Sequence, residues 1–425
     1  MRLQPVPDPP AASPASGRAA GEPAASPASG RPSGESATSR TRVLRTTIVV
    51  EQWRRRVPGG IGTYATGLLQ GLSSLRPLPD VTMAASPMRA GETDPLLGYP
   101  FPLSEAGGRL VAAVAHRSRL QGAASQVVTR LWDRGLSSVG SGQNAVADVV
   151  HSVSLAAPPT GSTPLTVMVH DVAWRHVPEA YPRHGLAWHE AALRRAGRSA
   201  SAVVVPSRAV ARDLIRASVE LEPSQIEVIP EGCDHLPPAD HEAARAVLRR
   251  LGVSGDFLLT VSTLEPRKNL QRLIEAYGRV RGDFPEPWPL LVVGPTGWGP
   301  EVVPTDGVVM AGRASGAVLS ALYASARVMV YVPLAEGFGL PAVEALRAGA
   351  PLVVSSAVPS IVEHDSPAVV VDALSIDAIA SGLGEVATDD SLRESLAAAG
   401  LASVAGRTWV VAAQRHIDWW TGIVR

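Results

Sequence analysis

Residues 327 to 356 read RVMVYVPLAEGFGLPAVEALRAGAPLVVSS. Positions 328–332 form an unbroken apolar run of strand length, the pattern of a strand buried on both faces. The break at 334–339 carries two glycines. Pro341 then opens the octet PAVEALRA, a short helix with proline in its first turn and Gly349 at its stop. A second apolar strand follows at 351–354. Strand, glycine turn and helix N-terminus, in that order, present backbone N–H groups to an anion. Two carboxylates flank the turn, Glu336 inside it and Glu344 one turn into the helix. An acidic pair beside a phosphate site makes sense if the phosphate is joined to sugars at both ends. The helix N-terminus then takes a diphosphate, and each carboxylate accepts hydrogen bonds from a pair of hydroxyls.

The same unit recurs along the chain. A β-branched run at 46–50 precedes Pro58-Gly59-Gly60-Ile61-Gly62-Thr63-Tyr64, with Leu68, Leu69 and Leu72 at helical spacing behind it. A run at 257–261 precedes Ser262-Thr-Leu-Glu-Pro-Arg-Lys-Asn269 and a helix carrying Leu270, Leu273, Ile274 and Tyr277 on one face. Lys268 is the only lysine in the chain; the other basic residues, of 39 in all, are arginine. A compact ammonium serves a phosphate differently from a planar guanidinium, which makes its retention informative. Further strands are expected at 149–153, 165–169, 202–205, 226–229, 290–293, 308–310 and 369–371. The strand at 165–169 ends in His170-Asp171, and a side chain at the carboxyl end of a parallel strand stands where α/β folds bind ligands. A strand-end histidine bonded to backbone is the plainer reading of His170. Between 77 and 142 the pattern is poor.

The periodicity breaks at Pro230-Glu-Gly-Cys-Asp-His-Leu-Pro-Pro238, which reads as a linker. The fold class is therefore α/β, with two doubly wound Rossmann-like domains facing across a cleft. We divide the chain into a tail at 1–42, a first domain at 43–236, a second at 237–408 and a final helical segment at 409–425. The tail repeats SPASGR at Ser13 and Ser26 amid Ala, Pro, Gly and Ser, and is expected to be disordered. Acidic and basic residues balance at 39 each, which favours neither nucleic acid nor an anionic surface as a partner. One cysteine, Cys233, excludes an internal disulfide and fits a reducing compartment. No apolar run approaches the roughly 20 residues of a membrane span. The first residues lack the apolar core of a signal peptide, so a cytoplasmic protein is expected, with contact at the inner membrane face left open.

Glu336-Gly-Phe-Gly-Leu-Pro-Ala-Val-Glu344 resembles the E-x7-E motif of retaining, two-domain (GT-B) nucleotide-sugar glycosyltransferases of family 4. Glu265-Pro-Arg-Lys-Asn269, the His170-Asp171 pair and the glycine loop at Gly59–Gly60 resemble further motifs of that family. The likeness extends over about 44–420. It implies that Arg267, Lys268, Gly60 and the backbone of Gly337, Phe338, Gly339 and Leu340 bind the donor diphosphate. It implies that Glu344 holds the ribose and Glu336 the donor sugar, with His170 reaching that sugar from the opposite domain. Lys268, Glu336 and His170 are the expected catalytic set. The final helix of the resembled fold crosses back to the first domain. Two departures stand out: the family's P-N-G-V-D string is Pro230-Glu-Gly-Cys-Asp234 here, and Ser262-Thr263 replace an arginine that some members carry before the lysine.

The resemblance implies transfer of a mannose-like hexosyl unit, with retention, to a carbohydrate, glycolipid or small-molecule acceptor and without a cofactor. A GDP-mannose-like donor is favoured, with UDP-hexose second. No Asp-x-Asp pair stands at a strand end, so metal-independent chemistry is expected. A nucleotide-sugar epimerase on the same fold and a non-catalytic sugar-binding relative are the alternatives. Base, sugar, acceptor and oligomeric state are left open.

Overall fold

The computed structural model describes residues 43–55, 59–88, 94–106, 108–117, 123–139, 147–217 and 220–425. The tail at 1–42 and Pro58 lie outside the described residues. The first sheet holds β1 (Arg45–Val49), β2 (Asp80–Ala85), β3 (Leu103–Glu105), β4 (Val149–Ser152), β5 (Leu165–Met168), β6 (Ala202–Val205) and β7 (Ile226–Val228). Their spatial order is β3-β2-β1-β4-β5-β6-β7. The second holds β8 (Leu258–Val261), β9 (Leu290–Val293), β10 (Val308–Gly312), β11 (Val328–Tyr331), β12 (Leu352–Ser355) and β13 (Val369–Val371), ordered β10-β9-β8-β11-β12-β13. All pairings are parallel. Central strands β4, β5, β6, β9, β11 and β12 are buried along their whole length, because helices cover both faces. Two doubly wound α/β lobes are thus in place, within one compact unit spanning 43–425.

Each sheet reverses its winding once, between β1 and β4 in the first and between β8 and β11 in the second. Such a switch point leaves a crevice at the strands' carboxyl ends. The start of the first helix at Gly59–Gly60, where the sequence suggested a glycine turn, the Arg267–Lys268 segment after β8 and the turn after β11 all lie at those crevices. Sequence reading missed β2 and β3. β3 is a three-residue edge strand with two exposed positions, too short and polar to show a period.

The final helix, Trp409–Val424, lies along the first helix, Gly59–Ser74. Glycine permits that approach: a Cβ at Gly67 would stand 2.0 Å from the Trp409 ring, and one at Gly71 2.2 Å from its carbonyl oxygen. Tyr64 OH sits between two buried rings, 3.1 Å from His151 Nε2 and 2.9 Å from His416 Nε2. His416 Nδ1 donates to the Ala412 carbonyl at 2.7 Å, so its Nε2 accepts from the tyrosine. Burial holds His151 well below its ordinary pKa and His416 at about 4, so both rings are neutral. Cys233 is buried beside this junction, its thiol on the Arg407 carbonyl at 3.2 Å and pushed up by burial to about 11.

Candidate active site

Both crevices open into one cavity of about 640 Å³. Gly60 and His170 reach it from the first lobe; Arg267, Lys268, Glu336 and 337–341 reach it from the second. The lobes touch beside it. Ser207 Oγ donates to the Gly337 carbonyl at 2.7 Å, and Glu363 accepts the N–H groups of Arg208 and Ala209, at 2.9 and 2.5 Å, where the helix Arg208–Arg216 begins. Gly337 is required there, since a Cβ would lie 1.7 Å from the His170 carbonyl oxygen. Gly339 caps the helix Leu340–Arg347 with φ 97°, a conformation that favours glycine.

Glu336 is clasped through one oxygen. Its Oε1 accepts from Tyr331 OH at 2.7 Å, Arg267 Nη1 at 3.0 Å and Lys268 Nζ. Its Oε2 has no hydrogen-bond partner among the described residues. Burial alone would raise this carboxyl; the charges of Arg267 and Lys268, with the Lys268 and Tyr331 hydrogen bonds, overcome it and hold the group at about 2. Arg267 spreads further, from Nη1 to the Ala335 carbonyl at 2.9 Å and from Nη2 to Glu265 at 2.9 Å. Asp171 of the other lobe stands 4.0 Å from it. Burial works against the charged guanidinium, but Glu336, Asp171 and Glu265 drive it well above its ordinary value. Arg267 Nε and Ser262 Oγ are buried without a hydrogen-bond partner.

His170 lines the cavity with both ring nitrogens engaged. Nε2 lies 2.9 Å from the Val153 carbonyl, which only accepts, so Nε2 carries a proton. Nδ1 faces Glu231 at 3.4 Å, and the ring packs edge-on to Tyr64 at 5.0 Å. Glu344 is not brought to the cavity wall. It is 8% exposed, and Tyr323 OH at 2.8 Å and His235 Nε2 at 3.0 Å take its two oxygens. Tyr331, Glu265 and Glu231 had not been singled out. Tyr331 carried one usable signal, its place as the last residue of a buried parallel strand. Glu231 lay in the segment read only as linker. Among the described residues no group of three or more His, Cys, Asp or Glu is placed to hold a metal ion.

Two family descriptions match successive parts of the chain: Glycosyltransferase Family 4 over 58–235 and Glycosyl transferases group 1 over 250–402. The chain belongs among the family-4-like glycosyltransferases. O-antigen chain mannosyltransferase B of Escherichia coli is 29% identical over 254 residues, 56% of this chain and 65% of that protein. A GDP-mannose-dependent alpha-(1-6)-phosphatidylinositol monomannoside mannosyltransferase of Mycobacterium tuberculosis is 28% identical over 268 residues, 58% of this chain and 64% of that one. The matches thus span slightly under two thirds of these relatives' lengths. Among solved structures, Anabaena Alr3699/HepE in complex with UDP and glucose superposes with a TM-score of 0.64 at 17% identity, over 89% of this chain and all of that one. WaaG, a glycosyltransferase involved in lipopolysaccharide biosynthesis, gives 0.61 at 15% identity, with 89% and 100% covered. These place the glycosyltransferase in the GT-B fold. No helix among its described residues is long and apolar enough to cross a membrane.

Proposed function

We propose that this glycosyltransferase moves a mannose-like hexosyl unit, with retention, from a nucleoside-diphosphate sugar to a carbohydrate, glycolipid or small-molecule acceptor. The observation that carries the reading is the asymmetric clasp on Glu336. Oε1 is consumed by two cations and a tyrosine, while Oε2 stays available at the cavity beside the N-terminus of the helix Leu340–Arg347. A carboxylate held ionised with one free oxygen is suited to accept from a sugar hydroxyl. Lys268, Arg267 and the helix N-terminus are suited to the diphosphate. As the bond from the anomeric carbon to the leaving phosphate breaks, charge grows on the phosphate oxygens and these donors stabilise it. The acceptor hydroxyl bonds to that carbon on the same face, and its proton passes to a leaving phosphate oxygen. The reaction as written uses no cofactor and no metal. The long His170–Glu231 contact is the one a sugar hydroxyl would displace. Glu344 would turn to the ribose only by giving up Tyr323 or His235. The GDP-mannose-dependent relative supports GDP-mannose as the favoured donor, and we rank a UDP-hexose second.

Thermal melting with GDP and with UDP tests the donor side. A nucleotide that binds only the folded state stabilises it by about 2.7 kcal/mol at 100 times its dissociation constant. Incubation with GDP-mannose or UDP-glucose then separates transfer, which needs an acceptor, from epimerisation, which does not. Neither nucleotide raising the melting temperature would remove the basis of the reading.

A further inference from the structure

One wall of the cavity is built from aromatic rings, and its three indole N–H groups are already held. Trp174 Nε1 donates to Glu190 at 2.7 Å, Trp188 Nε1 to Asp133 at 3.2 Å and Trp298 Nε1 to the Ala180 carbonyl at 2.9 Å. His189 stacks on Trp174 at 4.7 Å and meets Trp188 edge-on at 5.0 Å. Tyr181 joins His189 to Trp298, 5.9 Å from each. With their indole N–H groups satisfied, what the three tryptophans have left for a ligand is apolar ring surface, which suits the C–H face of a pyranose.

Arg55 stands at one end of this wall, its guanidinium 5.9 Å from the Trp188 ring centroid, and it lines the same cavity. Its neighbour Arg54 is fully employed, by Asp94 at 2.8 Å and the Ser86 carbonyl at 2.8 Å. Arg55 has no side-chain hydrogen bond or ion pair among the described residues. The two acids that influence it are committed elsewhere, Glu51 to Ser86 at 2.7 and 2.6 Å and Asp133 to Arg195 and Trp188. Burial outweighs the pull of Glu51 and Asp133 and lowers the Arg55 pKa, so its charge is only partly compensated. A partly compensated, half-buried guanidinium with no hydrogen-bonded partner is a planar, forked receptor for phosphate or carboxylate.

We propose that the aromatic wall is the acceptor subsite and that the acceptor is a saccharide bearing an anionic group, phosphate or carboxylate, that pairs with Arg55. The proposal rests on the transferase reading. Its test uses the full chain saturated with GDP, and separately with UDP, while tryptophan fluorescence is titrated with mannose 6-phosphate, glucuronate, methyl α-mannoside and inorganic phosphate. At least one anionic sugar should bind about tenfold or more tighter than methyl α-mannoside and than phosphate alone, as expected for one charge-assisted pair. The two anionic sugars distinguish phosphate from carboxylate. R55Q should erase the preference at an unchanged melting temperature, and R55K, which keeps the charge and loses the fork, should keep only part of it. Equal affinities, no response to either anionic sugar while nucleotide binds, or a preference that survives in R55Q would each overturn the proposal. So would loss of GDP and UDP binding in R55Q, which would give Arg55 to the donor. If neither nucleotide binds the wild type, the transferase reading fails and this proposal fails with it.

Discussion

Replacing Glu336 by Gln tests the clasp, because it removes one charge and little volume. The carboxyl sits at about 2 against an ordinary 4.5. At about 1.4 kcal/mol per pH unit, that gap is worth about 3 kcal/mol of preference for the ionised native form. Arg267 and Lys268 have side chains only 12% and 11% exposed, so the variant also strands two largely desolvated cations. E336Q should therefore lose about 3 kcal/mol of apparent stability at pH 7. Because the folded pKa is depressed, the wild-type contribution is complete above pH 4.5 and drains away as pH falls toward 2. By pH 4 about 1 kcal/mol of it is gone, whereas the variant has no such component. Urea unfolding at pH 7, 5 and 4 should show the gap between the proteins narrowing by that amount. The same substitution frees both cations, so GDP or UDP should bind E336Q more tightly while turnover falls. A gap that stays constant with pH, or an E336Q protein as stable as the wild type, would refute the reasoning.

Lys268→Ala should lower kcat by roughly a hundredfold, and Lys268→Arg should not restore it, since the ammonium fits between Glu336 and Tyr331 OH at 3.0 Å; steady-state kinetics on folded protein decides. Gly337→Ala puts a methyl 1.7 Å from the His170 carbonyl, so the lobes should part there. Small-angle scattering should report a larger radius of gyration, and kcat/KM should drop by about tenfold or more, as for misplaced catalytic groups. His416, held neutral at about 4 against an ordinary 6.5, makes the native state refuse a proton that the unfolded chain accepts. Stability should thus be full above pH 6.5 and fall by about 2 kcal/mol by pH 5, and H416N should show a flatter profile in urea titrations.

The parallel sheets were legible because strands such as β11 and β12 are buried on both faces and read as apolar runs of one length. β2 was not, since its Asp80-Val-Thr-Met-Ala-Ala85 starts exposed and carries few β-branched residues. Lys268 and Glu336 could be found because contiguous motifs present them, Glu265-Pro-Arg-Lys-Asn269 and the glycine turn after β11. Tyr323 and His235, which engage Glu344, left no comparable trace: one lies in a helix, the other in the linker, and only packing joins them. Likewise the aromatic wall is spread from Trp174 to Trp298, and no local period connects its members. Local pattern reveals what neighbouring residues do together; it is blind to groups that meet through the fold.

The pairing of the first helix with the last has a consequence for how the protein is made. Tyr64 and His416 are separated by 352 positions, and a ribosome adds about 5–20 residues per second. Roughly 20–70 s therefore pass between emergence of the glycine groove at Gly67 and Gly71 and arrival of the Trp409 ring that fills it. During that interval the second sheet is synthesised whole, while the first lobe waits with an apolar seam uncovered. The lobe begun first is finished last, and the growing chain is most open to aggregation or chaperone capture along that seam.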